Sequence, residues 1–192
     1  VLWRFVDDAS AYPSSLCTHD LVHGQAARRC VDDAVEWEGD TLSYIEFTGA
    51  ADCAGLWLCA HGVAPDSVVA PQLHRSLEQV IGVVGVLRAD SAYLPLDTQW
   101  PEERQRYMIS DVLCNQMLCM PDVFARLRSM LSEDMATVMM SRCPLGTSMR
   151  MGTSSSSAGQ LAYVAFTSGS TGRPKGVAIS HVGVVSLLCG IR

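Results

Sequence analysis

Residues 167–176 read Thr-Ser-Gly-Ser-Thr-Gly-Arg-Pro-Lys-Gly, which places three glycines, four hydroxyl side chains and one lysine in ten positions. Glycines let a backbone turn tightly and bring its N–H groups close to an anion. The hydroxyls of Thr167, Ser168, Ser170 and Thr171 add donors that can reach a phosphate oxygen or a metal-bound water. Lys175 supplies a compact, mobile positive charge. The chemistry on offer is the grip of a polyphosphate. The candidate binding set is Thr167, Ser168, Gly169, Ser170, Thr171, Gly172, Lys175 and Gly176, with Lys175 also the candidate catalytic residue. Lys175 is the single lysine beside 13 arginines in the chain. A Ser/Gly linker is the plain alternative, and Ser154 to Ser157 show what one looks like here. The loop differs because Pro174 stiffens it and apolar runs flank it closely, Leu161 to Phe166 before and Val177 to Ile179 after. Those flanks predict a strand, a solvent-accessible loop and a second strand.

The elements that must carry this loop can be read from periodicity and punctuation. A helix is expected from Thr18, with Leu21, Val22 and Ala26 on its buried side. His19 and His23 lie one helical turn apart, which is metal-ligand spacing, but no third ligand accompanies them and surface histidines are the expectation. Val31 to Trp37 reads as a strand with a short return at Thr41 and Leu42. Ser43-x-x-Glu46 is a capping box that opens a helix with Phe47, Ala50, Ala51, Ala54 and Leu58 on one face, stopped by Gly62. Trp57 is expected to be partly buried against the core. Ser67 to Ala70 is a strand, and Ser76 caps a helix with Leu77, Val80, Ile81, Val84 and Leu87 apolar. Tyr93 to Leu96 is a brief strand. Pro101 starts a helix with Glu102 and Glu103 in its first turn, where the helix dipole favours acids. Met117 to Met120 is a strand, Pro121 starts a helix carrying Phe124, Leu127 and Leu131, and Thr137 to Met140 is a strand. The methionines of this stretch read as core filler. Strands alternating with helices give an α/β class built of parallel βαβ units. Ligands of such sheets bind at loops beyond the strand ends.

The loop is not a Walker motif, since five positions on from Gly169 stands Pro174, and no G-x-G-x-x-G occurs. It resembles the phosphate loop of the adenylate-forming, AMP-binding superfamily, whose pattern is Ser/Thr-Ser-Gly-Ser/Thr-Thr-Gly-x-Pro-Lys-Gly. The resemblance extends upstream in the family's order. Residues 87–107 contain Tyr93-Leu94-Pro95-Leu96-Asp97 and Pro101-Glu102-Glu103-Arg104, similar to a segment of the amino-acid adenylation domains of nonribosomal peptide synthetases. Thr41 to Phe47 and Arg75 to Glu78 resemble two further motifs of that branch. The similarity runs from about residue 19 to the end, so residues 1–18 are expected to be a linker or the tail of a preceding module. Residues 19–192 are expected to be the truncated N-terminal part of the adenylation fold. Two departures stand out. Asp90 and Ser91 occupy positions usually held by glycine, which strains the turn if φ is positive, although Asp tolerates that region better than most residues. Pro71 would cost a ladder hydrogen bond in a central strand.

The resemblance implies ATP-dependent activation of an amino acid or other carboxylic acid as an acyl adenylate, with release of pyrophosphate. It further implies Mg²⁺ on the phosphates and transfer of the acyl group to phosphopantetheine on a carrier domain, beside neighbouring synthetase modules. Tyr163 and His181 flank the loop as packing or loop-supporting residues. The alternatives are an acyl- or aryl-acid ligase of the same superfamily and a non-catalytic remnant. The acid pocket and the adenine contacts of the family follow the loop, so the fragment alone is expected to be inactive.

Composition sets the outer limits. At 192 residues and 48% hydrophobic content the chain can bury a substantial core. Its net charge of −6 and the lack of a basic cluster argue against nucleic acid or an anionic membrane as partner. Its longest apolar stretch, Val80 to Leu87, is too short to span a bilayer. No signal peptide is visible. The eight cysteines form no C-x-x-C and their spacing suggests no zinc site. A reduced cytoplasmic protein is the simplest reading.

Overall fold

The computed structural model describes residues 12–128, 135–143, 151–152, 156–168 and 173–190. In chain order the elements are α1 (Thr18–Arg28), β1 (Asp33–Trp37), β2 (Asp40–Ser43), α2 (Tyr44–Ala60), β3 (Val68–Gln72), α3 (Leu77–Arg88) and β4 (Ala92–Tyr93). There follow α4 (Glu102–Asp111), β5 (Gln116–Cys119), α5 (Pro121–Leu127), β6 (Ala136–Met139), β7 (Leu161–Thr167), β8 (Lys175–Ser180) and α6 (His181–Gly190). Strands β1 and β2 form a small antiparallel hairpin. The other six form one sheet in the order β6-β5-β3-β4-β7-β8. Every pairing in it is parallel except β7 with β8.

Both faces of the sheet are covered at the central parallel strands β3 and β5, as buried parallel strands require. Adjacent residues of one strand therefore serve opposite cores. Val69 and Leu118 meet Phe47, Ala51, Ala54 and Leu58 of α2 and Ile81 and Val84 of α3. Ala70 and Met117 meet Met108 of α4 and Val123 and Leu127 of α5. The methionines at 108, 117 and 140 are buried core residues, and Trp57 packs partly buried against the first core.

Local signals act where the sequence places them. The Ser43 backbone N–H donates to Glu46 at 2.9 Å, closing the capping box of α2. Ser76 accepts from the Gln79 N–H at 3.3 Å at the start of α3. Asp90 has φ of 56°, the left-handed conformation for which glycine would be the usual occupant. The Ser156 hydroxyl donates to its carboxylate at 2.6 Å, which fixes the turn from outside. Pro71 lies within central β3, yet its missing N–H breaks no ladder. The carbonyls of Ser67 and Val69 accept from Ala92 and Leu94, so by alternation Pro71 faces the β4 side. Pairing with β4 stops at Val69.

Three expectations need correction. His19 is fully buried rather than on the surface, and His23 is half-buried. The expected inner residues of α1, Leu21, Val22 and Ala26, are only half-buried. The cause is tertiary. Helix α6 packs over the start of α1 and covers His19, a contact that α1's own periodicity does not encode. Val80 of α3 is exposed, since it lies outside the stripe shared by Ile81 and Val84. Leu131 lies outside the described residues.

Candidate nucleotide-binding site

The segment 161–180 forms a strand, a connection and a returning strand, with β7 and β8 antiparallel. Thr167 pairs with Lys175 and Phe166 with Gly176 across the ladder. The last rung of the hairpin thus sets the lysine opposite the first hydroxyl residue of the loop. Thr167, Ser168, Lys175 and Gly176 are all exposed. Gly169, Ser170, Thr171 and Gly172 lie outside the described residues. Arg173 is exposed beside Lys175 and adds a second cation to this mouth.

Gly176 has a packing reason to be glycine. A Cβ there would meet the Phe166 ring and Val164 Cγ1, both at 3.3 Å. The bare backbone lets Phe166 lie across the returning strand. Tyr163 stacks on Tyr93 of the neighbouring strand at 5.3 Å between ring centres. It is a packing residue, as is His181, which is buried at the opposite end of β8.

Helix α4 forms a wall beside the loop. The Tyr107 hydroxyl donates to the Pro174 carbonyl at 3.1 Å, one residue before Lys175. Its ring meets Phe166 edge-on at 6.4 Å. The Arg104 guanidinium lies 4.3 Å over the Trp100 ring, an attractive and orienting contact. An open groove of about 690 Å³ runs between Arg104, Tyr107, Ser168, Arg173 and Pro174. Its cations and hydroxyls suit an anionic ligand, and its apolar floor suits a flat one. A second cleft of about 670 Å³ opens at the carboxyl ends of β3 and β4, between Pro71, His74, Tyr93, Pro95 and Trp100. Tyr107 and Arg104 were not singled out by the loop motif. Their signal was their i, i+3 spacing on one helix face after Pro101, which means little until α4 is known to lie against β7.

Away from this groove lies a buried polar pair. Arg88 Nε donates to Asp52 Oδ1 at 2.7 Å, and the two side chains are 6% and 5% exposed. Burial by itself would raise the Asp52 carboxyl, but the His23 ring 3.3 Å away and the hydrogen bond from Arg88 hold it below the usual carboxylate value. All eight cysteines are free thiols, and burial raises Cys17, Cys114, Cys119 and Cys143 above the ordinary thiol range. Raised thiols are poor nucleophiles. Among the described residues no helix is long and apolar enough to cross a membrane.

The AMP-binding enzyme family model matches residues 22–192. Gramicidin S synthase 2 of Aneurinibacillus migulanus is 35% identical over 193 residues, covering 98% of this chain and 4% of the synthase. Bacitracin synthase 3 of Bacillus licheniformis is 35% identical, covering 98% of this chain and 3% of that protein. The AMPPNP-bound nonribosomal peptide synthetase FmoA3 superposes with a TM-score of 0.85 at 27% identity, over 100% of this chain and 20% of its own. The N-terminal subdomain of Klebsiella oxytoca NpsA shares the fold, with a TM-score of 0.79 at 21% identity over 91% of this chain and 44% of its own. The chain therefore spans a small part of the length of the relatives it matches.

Proposed function

We propose that this chain, which belongs to the AMP-binding enzyme family, holds the phosphates of ATP while an amino acid is activated as its acyl adenylate for nonribosomal peptide synthesis. The observation that carries this reading is the mouth of the β7–β8 hairpin. An exposed lysine and an exposed threonine face each other across the last rung, in a chain that otherwise uses arginine for its cations. Thr167 and Ser168 present hydroxyl donors, and Lys175 would offset the charge that builds as pyrophosphate departs. The groove beside α4 adjoins this mouth at Ser168, Arg173 and Pro174, and its Arg104 and Arg173 suit an anionic ligand. Mg²⁺ bound with the nucleotide would supply further neutralisation of phosphate charge, and no residue of this chain is assigned to it. Transfer to phosphopantetheine on a carrier domain, and work beside neighbouring synthetase modules, follow from the same reading. AMPPNP bound to FmoA3 supports ATP as the nucleotide.

A preorganised charged donor acts on the transition state more than on the ground state. Its loss typically costs about 2.7–4 kcal/mol, or ~100- to 1000-fold in rate. Lys175→Ala in the full-length synthetase is expected to slow amino-acid-dependent ATP–pyrophosphate exchange by that factor and to leave amino-acid affinity nearly unchanged. Lys175→Arg is expected to restore only part of the rate, because a wide guanidinium must enter a mouth already narrowed by Pro174. Exchange at the wild-type rate in Lys175→Ala would remove this lysine from the chemistry.

A further inference from the structure

The start of α1 gathers three metal-ligating side chains that the adenylation chemistry does not use. Cys17 is the N-cap residue, and His19 and Asp20 occupy the first turn. The Cys17 sulfur, a His19 ring nitrogen and an Asp20 carboxylate oxygen all lie within 4.8 Å of one another. Cys17 and His19 are 1% and 0% exposed, and Asp20 reaches partly to solvent. The independent observation is the state of His19. Both of its ring nitrogens are buried and have no hydrogen-bond partner among the described residues. An imidazole always carries donors or acceptors that need partners, and buried ones almost always find them. Its Nε2 stands 3.8 Å from Asp20 Oδ1, too long for a hydrogen bond but suited to two ligands of one small cation.

The surroundings prepare the three groups for such a role. The Cys17 N–H donates to Asp20 Oδ2 at 2.8 Å, which aims Oδ1 at His19. The His181 ring meets His19 edge-on at 5.4 Å and is itself fixed, because its Nδ1 accepts from the Thr18 N–H at 3.1 Å. His181 therefore braces His19 rather than serving as a ligand. The Cys17 sulfur faces the Ser156 carbonyl at 3.5 Å, a weak contact that a metal would replace.

We propose that Cys17, His19 and Asp20 bind one zinc ion, with water as the fourth ligand on the side of Asp20 open to solvent. Thiolate, imidazole and carboxylate are a zinc donor set, and one thiolate and one carboxylate balance its two charges. Binding forms the Zn–S bond and releases the Cys17 thiol proton to solvent. Bond lengths of about 2.0–2.3 Å require the three atoms to draw together by several tenths of an ångström or more. The ion takes no part in the adenylation chemistry. His181 follows the end of β8 opposite Lys175, and six strand residues at roughly 3.3 Å each put the ion about 20 Å from the phosphate loop. The proposal is independent of the adenylation reading.

The test is metal binding by the purified chain. The expected result is one zinc per chain, a rise in melting temperature on adding zinc to the stripped protein, and a thiolate-to-metal charge-transfer band with Co²⁺. Cys17→Ala is expected to abolish the band and weaken zinc by more than the ~10- to 100-fold typical of losing a group that only orients a ligand. Cys59→Ser, at an exposed thiol elsewhere, is expected to change neither. Should Cys17→Ala fail to fold, Asp20→Asn keeps an oxygen for the Cys17 N–H and is expected to weaken zinc while the band persists. No band with wild type, or equal zinc affinity in wild type and Asp20→Asn, overturns the site.

Discussion

Replacing Arg88 with methionine keeps much of the apolar stem and removes the charge that faces Asp52 between α2 and α3. Both partners are almost fully buried, with 2.7 Å between Nε and Oδ1. Leaving one member of a buried pair alone typically costs about 3–5 kcal/mol. The lower end applies, because His23 Nε2 remains 3.3 Å from the same oxygen and is 30% exposed. The hydrogen bond from Arg88 to the Gly152 carbonyl at 3.0 Å is lost as well. A chain of this size gains about 0.4 kcal/mol/K of unfolding entropy, so ~3 kcal/mol lowers the melting temperature by about 7 °C. Two further outcomes separate a stranded charge from lost packing. Asp52→Asn/Arg88→Met removes the stranded charge and is expected to regain at least half of the loss. The deficit of Arg88→Met should also shrink as pH falls from about 7 to 5. In the variant, burial pushes the Asp52 carboxyl up, so protonation there relieves the folded state. In wild type the carboxyl is held down by its partners and loses nothing over that interval. Thermal melts at the two pH values decide the matter. A shift under about 2 °C for Arg88→Met, or strictly additive losses in the double variant, would refute the reasoning.

Wild-type stability itself should fall as pH drops below the ordinary Asp value of 3.8 and through the lower folded value of Asp52, and Asp52→Asn should flatten this acid limb in urea titrations. Gly24→Ala at an exposed position of α1 meets nothing within 4 Å and should stabilise by about 0.5–1 kcal/mol through helix entropy. Gly85→Ala should instead destabilise by about 1–3 kcal/mol of overpacking less that gain, because its Cβ would stand 2.7 Å from Ala54 Cβ where α2 and α3 cross; urea midpoints compare the two. Tyr107→Phe removes the hydrogen bond to the Pro174 carbonyl, worth about 1 kcal/mol, and should lower the melting temperature by about 2.5 °C; on the proposed function it should also raise the KM for ATP in the full-length synthetase roughly 2- to 5-fold.

Features written within a few residues of one another were legible in the sequence. The capping box at Ser43 and Glu46, the cap at Ser76 and the hairpin on either side of residues 167–176 each depend on local spacing; at Asp90, where the resemblance puts a glycine and the strain depended on the sign of φ, φ is positive. Helix α2 was read well because its apolar stripe is wide and its partners surround it. What the sequence hid depends on chain closure over distance. The Arg88–Asp52 pair spans 36 positions, and the bond from Thr18 to His181 spans 163. His19 looks like a surface residue until α6 covers it. Tyr107 looks like one more helix residue until α4 lies against the loop.

The sheet order explains why these distant parts meet where they do. Strand β7 runs parallel to β4, with Tyr163 beside Tyr93, so the loop after Thr167 leaves the sheet at the same edge as the chain after Tyr93. That chain proceeds through Pro95 and Trp100 into α4, which places Arg104 and Tyr107 over the loop without any long connection. The last strand is antiparallel, so β8 carries the chain back and delivers His181 to the opposite edge, under α1. The two ends of one hairpin therefore have different chemistry. The mouth at Thr167 and Lys175 is open, hydroxylated and cationic, suited to a substrate that enters and leaves. The base at His181 is closed and braced by α1, suited to a permanent contact. A substitution at the base should act on melting and metal content, and one at the mouth on exchange rate. A variant at His181 that slowed exchange without lowering stability would show that the two ends are coupled through β8.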